Sequence, residues 1–125
     1  RMGLIWGETL TWPPSGNHLV KTGYQARTHY PSEAYVEWDR INLAIIAGFP
    51  MVGIIDYQVH LRLIFRPPSK RKYDLDNRTK AVQDLLVKAH VIKDDDSRIL
   101  NPVHLEGVPY VKGEPGRVIV EIYSL

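Results

Sequence analysis

Six of the fourteen acidic residues in this 125-residue chain fall between positions 74 and 96, and all six are aspartate: Asp74, Asp76, Asp84, Asp94, Asp95 and Asp96. Short carboxylates held close together suit a hard divalent cation, because Mg²⁺ takes oxygen ligands and is usually held by one or two carboxylates with phosphate oxygens and water. Asp74 and Asp76 lie two residues apart, so in extended backbone both carboxylates point to the same side. A helix beginning near Asp76 would stack Asp76, Lys80 and Asp84 along one face at intervals of four. Asp74 and Asp76 then supply one edge of a cation site, and the return of the chain through Asp94–Asp96 supplies the other. Left alone, such a cluster is costly: two carboxylates ~4 Å apart repel by about 1 kcal/mol in water and about 4 kcal/mol at an effective dielectric of 20. It must either bind a cation or raise its pKa values.

Taken singly, each aspartate has a plainer reading. Asp76 reads as a helix N-cap, Asp94–Asp96 as a solvated turn and Asp84 as a surface helix residue. Spacing alone leaves both readings open, a metal site or caps and turns. A calcium EF-hand loop is excluded, since Arg78 and Thr79 stand where the next ligand and the required glycine belong. Just upstream, Arg66, Lys70, Arg71 and Lys72 lie on a proline-broken connection, and Lys21 and Arg27 lie on an earlier loop. Cations that would hold a phosphate backbone thus lead into carboxylates that would hold a metal, the combination that metal-assisted phosphodiester hydrolysis requires. Lys80, among the aspartates, reads equally as a structural counter-ion or as a stabiliser of charge developing on phosphate. The five histidines show no ligand spacing.

The composition narrows the setting. With 44% apolar and 24% charged residues the chain resembles an ordinary globular domain, and at this length it can bury a core without staples. The absence of cysteine removes disulfide frameworks, zinc fingers, iron–sulfur sites and thiol nucleophiles, and fits a reducing cytoplasm. No apolar run reaches the ~18 residues of a membrane span, and no secretory signal opens the chain, so we expect a cytoplasmic protein with no membrane partner. A net charge of +2 is too small by itself to announce a polyanion partner.

The elements that must position these residues follow from periodicity. Leu4–Trp12 reads as a first strand, stopped by Pro13-Pro14-Ser15-Gly16-Asn17, and the stretch to Ser32 as a polar, mildly basic loop. Pro31 and Ser32 introduce a helix that Gly48-Phe49-Pro50 ends. Residues 57–66 alternate with period two, the clearest strand in the chain. After Pro67-Pro68-Ser69, a second helix runs from about Asn77 to Lys88 with Ala81, Val82, Leu85, Leu86 and Ala89 as its apolar stripe. Ile99–Leu105 and Val118–Tyr123 read as strands, with a turn at 112–116. The order β-α-β-α-β-β implies an α+β fold, a small mixed sheet with two main helices in a single domain over 1–125.

The string Asp74-Leu75-Asp76-Asn77-Arg78-Thr79-Lys80 with Asp84, followed by Val91-Ile92-Lys93-Asp94-Asp95, resembles the signature of the RusA family of Holliday junction resolvases, and Trp12-Pro13-Pro14-Ser15-Gly16-Asn17 is similar to that family's opening. The resemblance covers nearly the whole chain. It implies a homodimeric, Mg²⁺- or Mn²⁺-dependent endonuclease of DNA recombination and repair, often encoded in prophages, that cuts four-way junctions by paired symmetric nicks. No small-molecule cofactor is implied. Asp74, Asp76 and Asp95 match the family's essential carboxylates and Lys80 its essential lysine, with Asp94 the less critical first member of the acidic pair. Asn17 and Lys70, Arg71 and Lys72 fall where the family contacts DNA, and Arg27 joins them as a further DNA-binding candidate on charge. The triple Asp94-Asp95-Asp96 leaves the register of the last ligand open by one residue; spacing favours Asp95, with Asp94 second. His90 stands where the family often has glycine, so it must take a left-handed C-cap or end the helix differently. Two rivals remain: a catalytically silent module that binds branched DNA, and a less selective metal-dependent nuclease.

Overall fold

A computed structural model of the chain describes residues 3–15, 20–22, 29–48 and 53–125. The elements run β1 (Leu4–Thr11), β2 (Val20–Thr22), β3 (His29–Pro31), α1 (Glu33–Ala47), β4 (Val59–Arg66), α2 (Leu75–Lys88), β5 (Leu100–Gly107) and β6 (Arg117–Tyr123). The alternation of 59–66 does what it predicts. Val59, Leu61, Leu63 and Phe65 are fully buried, while His60, Arg62, Ile64 and Arg66 are half-buried on the other face. β4 lies inside a mixed sheet of order β1-β6-β4-β5, antiparallel to β6 and parallel to β5. Parallel neighbours need a crossover, which α2 provides, so the acid-bearing helix is the middle of a β4-α2-β5 unit. That unit was not evident as a βαβ repeat in the sequence, because it occurs once.

The buried side chains of β1, β4 and β6 form one core cluster with Tyr35, Trp38 and Ile46 of α1 and Ala81, Val82, Leu85 and Leu86 of α2. At ~25 cal/mol per Å² of apolar surface buried, this cluster is the main driving force for folding. The polar fixings are few and specific. Asn42, fully buried, accepts from Thr11 N at 2.9 Å and donates to Thr11 Oγ1 and Trp38 O at 2.8 Å each, tying α1 to the end of β1. Lys88 of α2 pairs with Asp39 of α1 and donates to Tyr35 Oη at 3.1 Å, tying the two helices together.

One end of α2 differs from expectation, and the other takes the left-handed form that was one of the two the sequence allowed. The second helix starts two residues before Asn77, with Asp74 as its N-cap: Asp74 Oδ1 accepts from Asp76 N at 2.9 Å. The expected cap, Asp76, therefore sits in the first turn, and the pair is not extended. At the other end His90 takes φ 59°, while Val91 N bonds Leu86 O and His90 N bonds Val87 O at 3.0 Å each. These are the two bonds of a Schellman ending, with histidine in the place glycine usually takes. The stretch between β1 and α1, expected to be loop throughout, contains the antiparallel pair β2–β3 with Val20 opposite Pro31. Strands of three residues are too short to show a period.

Candidate active site

α2 divides its residues by face. Asp76, Lys80 and Asp84 follow at intervals of four on the side away from the core, and the expected stacking is realised between the last two: Lys80 Nζ stands 3.1 Å from Asp84 Oδ1. A third carboxylate arrives from the loop after the helix, with Asp95 Oδ2 3.2 Å from the same nitrogen. Hydrogen bonding to Asp84 and Asp95 holds the Lys80 ammonium above the usual lysine pKa range, against a smaller opposing effect of partial burial. The repulsion expected of the aspartates is thus met, at Asp84 and Asp95, by an internal cation. The Lys80 side chain is 57% exposed, so its charge also faces solvent.

Backbone bonds place the 93–96 loop. Ile55 N bonds Val91 O at 3.0 Å and Lys93 N bonds Ile55 O at 2.8 Å, pinning the chain after α2 to the chain after α1. Asp96 is then consumed by the turn into β5: its backbone oxygen accepts from Ile99 N and Leu100 N, its side chain accepts from Arg98 N at 2.9 Å, and Arg98 forks onto it with a closest approach of 2.6 Å. The bonds from Arg98 keep the Asp96 carboxyl below the usual range. Asp96 is therefore engaged, which leaves Asp95 facing Lys80, and Asp94, whose Oδ1 accepts from Asp95 N at 2.8 Å.

The donor chemistry fits a hard divalent cation. Asp74, Asp76, Asp94 and Asp95 offer only oxygen, and Asp76 makes no side-chain hydrogen bond or ion pair among the described residues. Their placement is looser than their chemistry: among the described residues no group of three or more His, Asp or Glu side chains stands close enough to hold an ion. Asp74 gives one oxygen to its cap and Asp95 one to Lys80.

Of the expected DNA contacts, Lys70, Arg71 and Lys72 are exposed on the β4–α2 connection, whereas Asn17 and Arg27 lie outside the described residues. Arg66 is not part of that basic surface. It turns back to Pro115 O at 3.1 Å and to Glu114 at 3.8 Å, bracing the turn before β6. Reading by spacing passed over three residues beside the basic run. Arg78 donates to Pro13 O at 2.7 Å and lies 5.3 Å over the Trp12 ring, and Trp12 in turn meets Tyr73 edge-on at 5.0 Å. One signal was available: positions 78, 82, 85 and 89 share the apolar stripe, so an arginine at 78 occupies a core-facing place.

Residues 11–123 match the family described as Endodeoxyribonuclease RusA. This chain belongs to the RusA family. Relatives include proteins named crossover junction endodeoxyribonuclease RusA from Shigella sonnei strain Ss046 and Escherichia coli strain K12, each 34% identical over 87 residues, which is 70% of this chain and 71% of the relative. A protein of the same name from Enterobacteria phage 82 matches to the same extent. The RusA match begins at β1's last residue and ends at the last residue of β6, so it takes in both helices and the aspartate-bearing loop.

Proposed function

We propose that this RusA-family protein is an endodeoxyribonuclease that cuts four-way DNA junctions by paired, symmetric nicks. The observation that carries the reading is Lys80 held between Asp84 and Asp95 on the exposed face of a helix that opens with Asp74 and Asp76. In this reading Asp74, Asp76 and Asp95 hold Mg²⁺ or Mn²⁺, with Asp94 as second choice for the last ligand. A divalent cation bound there polarises a phosphate and makes a bound water more acidic. Lys80 does the rest of the charge work. With its pKa raised it is protonated at neutral pH, so it serves as a fixed positive charge beside the phosphate and not as a base. Lys70, Arg71 and Lys72 hold the strand by charge, as Asn17 and Arg27 do in the same reading. A homodimer presents two equivalent sites to a nearly two-fold junction, which lets both nicks fall within one binding event. The place of action is the cytoplasm, beside DNA.

The test is cleavage of an end-labelled four-way junction beside a linear duplex of the same sequence, with Mg²⁺, with Mn²⁺ and with chelator, for the wild type and Asp76→Asn. We expect paired cuts in the junction alone, a loss of at least roughly a hundredfold in Asp76→Asn, and junction binding by that variant as tight as the wild type or tighter. Binding without cutting under every metal condition would mark a binding module, and cuts in the duplex a less selective nuclease.

A further inference from the structure

At the end of the sheet where β4 gives way to the Pro67-Pro68 connection, a hollow of about 340 Å³ opens between Trp12, Pro68, Arg71, Lys72, Tyr73 and Arg78. Its volume is near the lower end of the ~300–1,000 Å³ typical of small-ligand sites, enough for one group and not for a duplex. Three cations line it and no acid does. Arg78 is the unusual member. It is half-buried on the core-facing side of α2, its Nε is buried without a hydrogen-bond partner, and burial pulls its pKa below the usual arginine range. Among the described residues no carboxylate pairs with it, and the remaining residues of the chain include no Asp or Glu. A half-buried charge without a counter-charge carries part of the cost of desolvation, and a guanidinium has five donors of which Pro13 O takes one. The walls are firm: Trp12 meets Phe65 and Tyr73 edge-on, and Pro68 lies so close to Gly116 that an added Cβ there would stand 2.8 Å from Pro68 Cδ.

We propose that this hollow is an anion subsite that takes one backbone phosphate of the bound DNA strand, with Arg78 as its anchor and Arg71 and Lys72 at its rim. The inference rests on the nuclease reading and adds to it a second point of attachment. Position 78 is about 200° around the helix from Asp76, so the phosphate held here is not the one exposed to the aspartates. A strand passing over the start of α2 touches both faces, and the pocket fixes its register relative to the acids. Ligands bind at the carboxyl ends of parallel strands in open sheets, and this hollow adjoins the carboxyl end of β4.

The salt dependence of junction binding without divalent cations tests it. Each phosphate neutralised contributes about 0.9 to the slope of log affinity against log salt, which at 0.1 M salt corresponds to about eightfold in affinity relative to 1 M. Arg78→Gln should lower the slope by about that amount while Arg78→Lys, which keeps the charge, retains it; loss of a purely structural prop would affect both variants alike. In parallel, the Arg78 Nε–H resonance of the wild type should move on adding the junction and not on adding inorganic phosphate at equal ionic strength. An unchanged slope in a folded Arg78→Gln overturns the subsite and leaves the nuclease reading standing. If that variant does not fold, the resonance decides, and one that ignores the junction overturns the proposal. Movement with phosphate alone assigns the hollow to a free anion instead. A wild type that binds no junction at low salt overturns both readings.

Discussion

His90 carries φ 59°, a conformation that crowds Cβ against the following carbonyl and costs an L-residue about 1–2 kcal/mol. It is exposed, and no described contact of its ring offsets that cost. His90→Gly should therefore stabilise the protein, by roughly 0.5–1 kcal/mol once the greater freedom of glycine in the unfolded chain is subtracted. The urea midpoint should rise with an unchanged slope; a fall would mean that the ring makes contacts that matter. The ion pairs of the site have a different character. Lys80 is more than half exposed, so its bonds to Asp84 and Asp95 add little stability, as exposed pairs generally do. Their effect is positional: the ammonium is aimed before any substrate arrives. The same distinction separates the three adjacent aspartates, because the backbone and Arg98 engage Asp96 in the turn while Asp95 remains turned to Lys80.

Within the elements, the β4–α2 connection lies close against the turn before β6 at Gly116. An added Cβ at Gly116 would lie 2.8 Å from Pro68 Cδ and 2.9 Å from Pro68 N, and a proline ring with its own backbone cannot swing aside. Gly116→Ala should cost about 1–3 kcal/mol and push the 67–72 segment outward, weakening junction binding at fixed salt although no charge has changed. Urea unfolding and a junction titration check the two halves; a variant with wild-type values in both would show that the segment is placed by something else. That contact was invisible in the sequence, since nothing near Gly116 announces Pro68 nearly fifty residues away. What could be read was local: the alternation of 59–66, the stripe of α2 and the spacing of Lys80 from Asp84 follow from periods of 2 or 3.6, and the Ser32 start of α1 follows from the capping preference of serine. Sheet order could not be read, because β6 enters between β1 and β4 through pairings that depend on the whole core. Nor could the choice between Asp74 and Asp76 as cap, since aspartate is favoured at both the cap and the first turn and the decision fell to a single hydrogen bond. Arg78 was legible in principle, as a charge on an apolar stripe, but its meaning required Trp12, Pro13 and Tyr73 to be brought beside it.

Across the whole molecule, the shifted acids and bases set the pH range over which the fold is strongest. Hydrogen bonds from Arg40 hold the Glu37 carboxyl below its usual range, those from Arg98 do so for Asp96, and those from His104 and then Arg62 do so for Glu106. A carboxyl whose folded pKa lies below its unfolded one adds stability above the unfolded value, ~3.9–4.3, and that stability drains away as the pH falls through the folded value. All three are surface groups, so salt screens the gain. At the alkaline end the signs reverse. Lys80 is raised by Asp84 and Asp95, and Lys88 is raised because its bonds to Asp39 and Tyr35 outweigh the burial that opposes its charge. Burial raises the Tyr35 phenol beside it. Groups raised in the folded state add stability that is complete below their unfolded values, ~10–10.4, and lost as pH climbs through the folded ones. Stability should accordingly be flat from about pH 5 to about pH 9.5 and decline on both sides. The acid limb should shrink in 1 M salt, because its groups are exposed. The alkaline limb should shrink less, because the Lys88–Asp39 bond is shielded by the helix pair: Asp39 is only 12% exposed. Urea unfolding across pH at ~0.1 and 1 M NaCl measures both limbs, and a flat profile from pH 5 down to 3 at low salt would show that the three acid pairs do not form in solution. The two limbs also bear on the site, since the alkaline one passes through the charge of Lys80. Cleavage and stability should fall together once the pH climbs beyond the ordinary lysine range, whereas Asp76→Asn removes the first and spares the second.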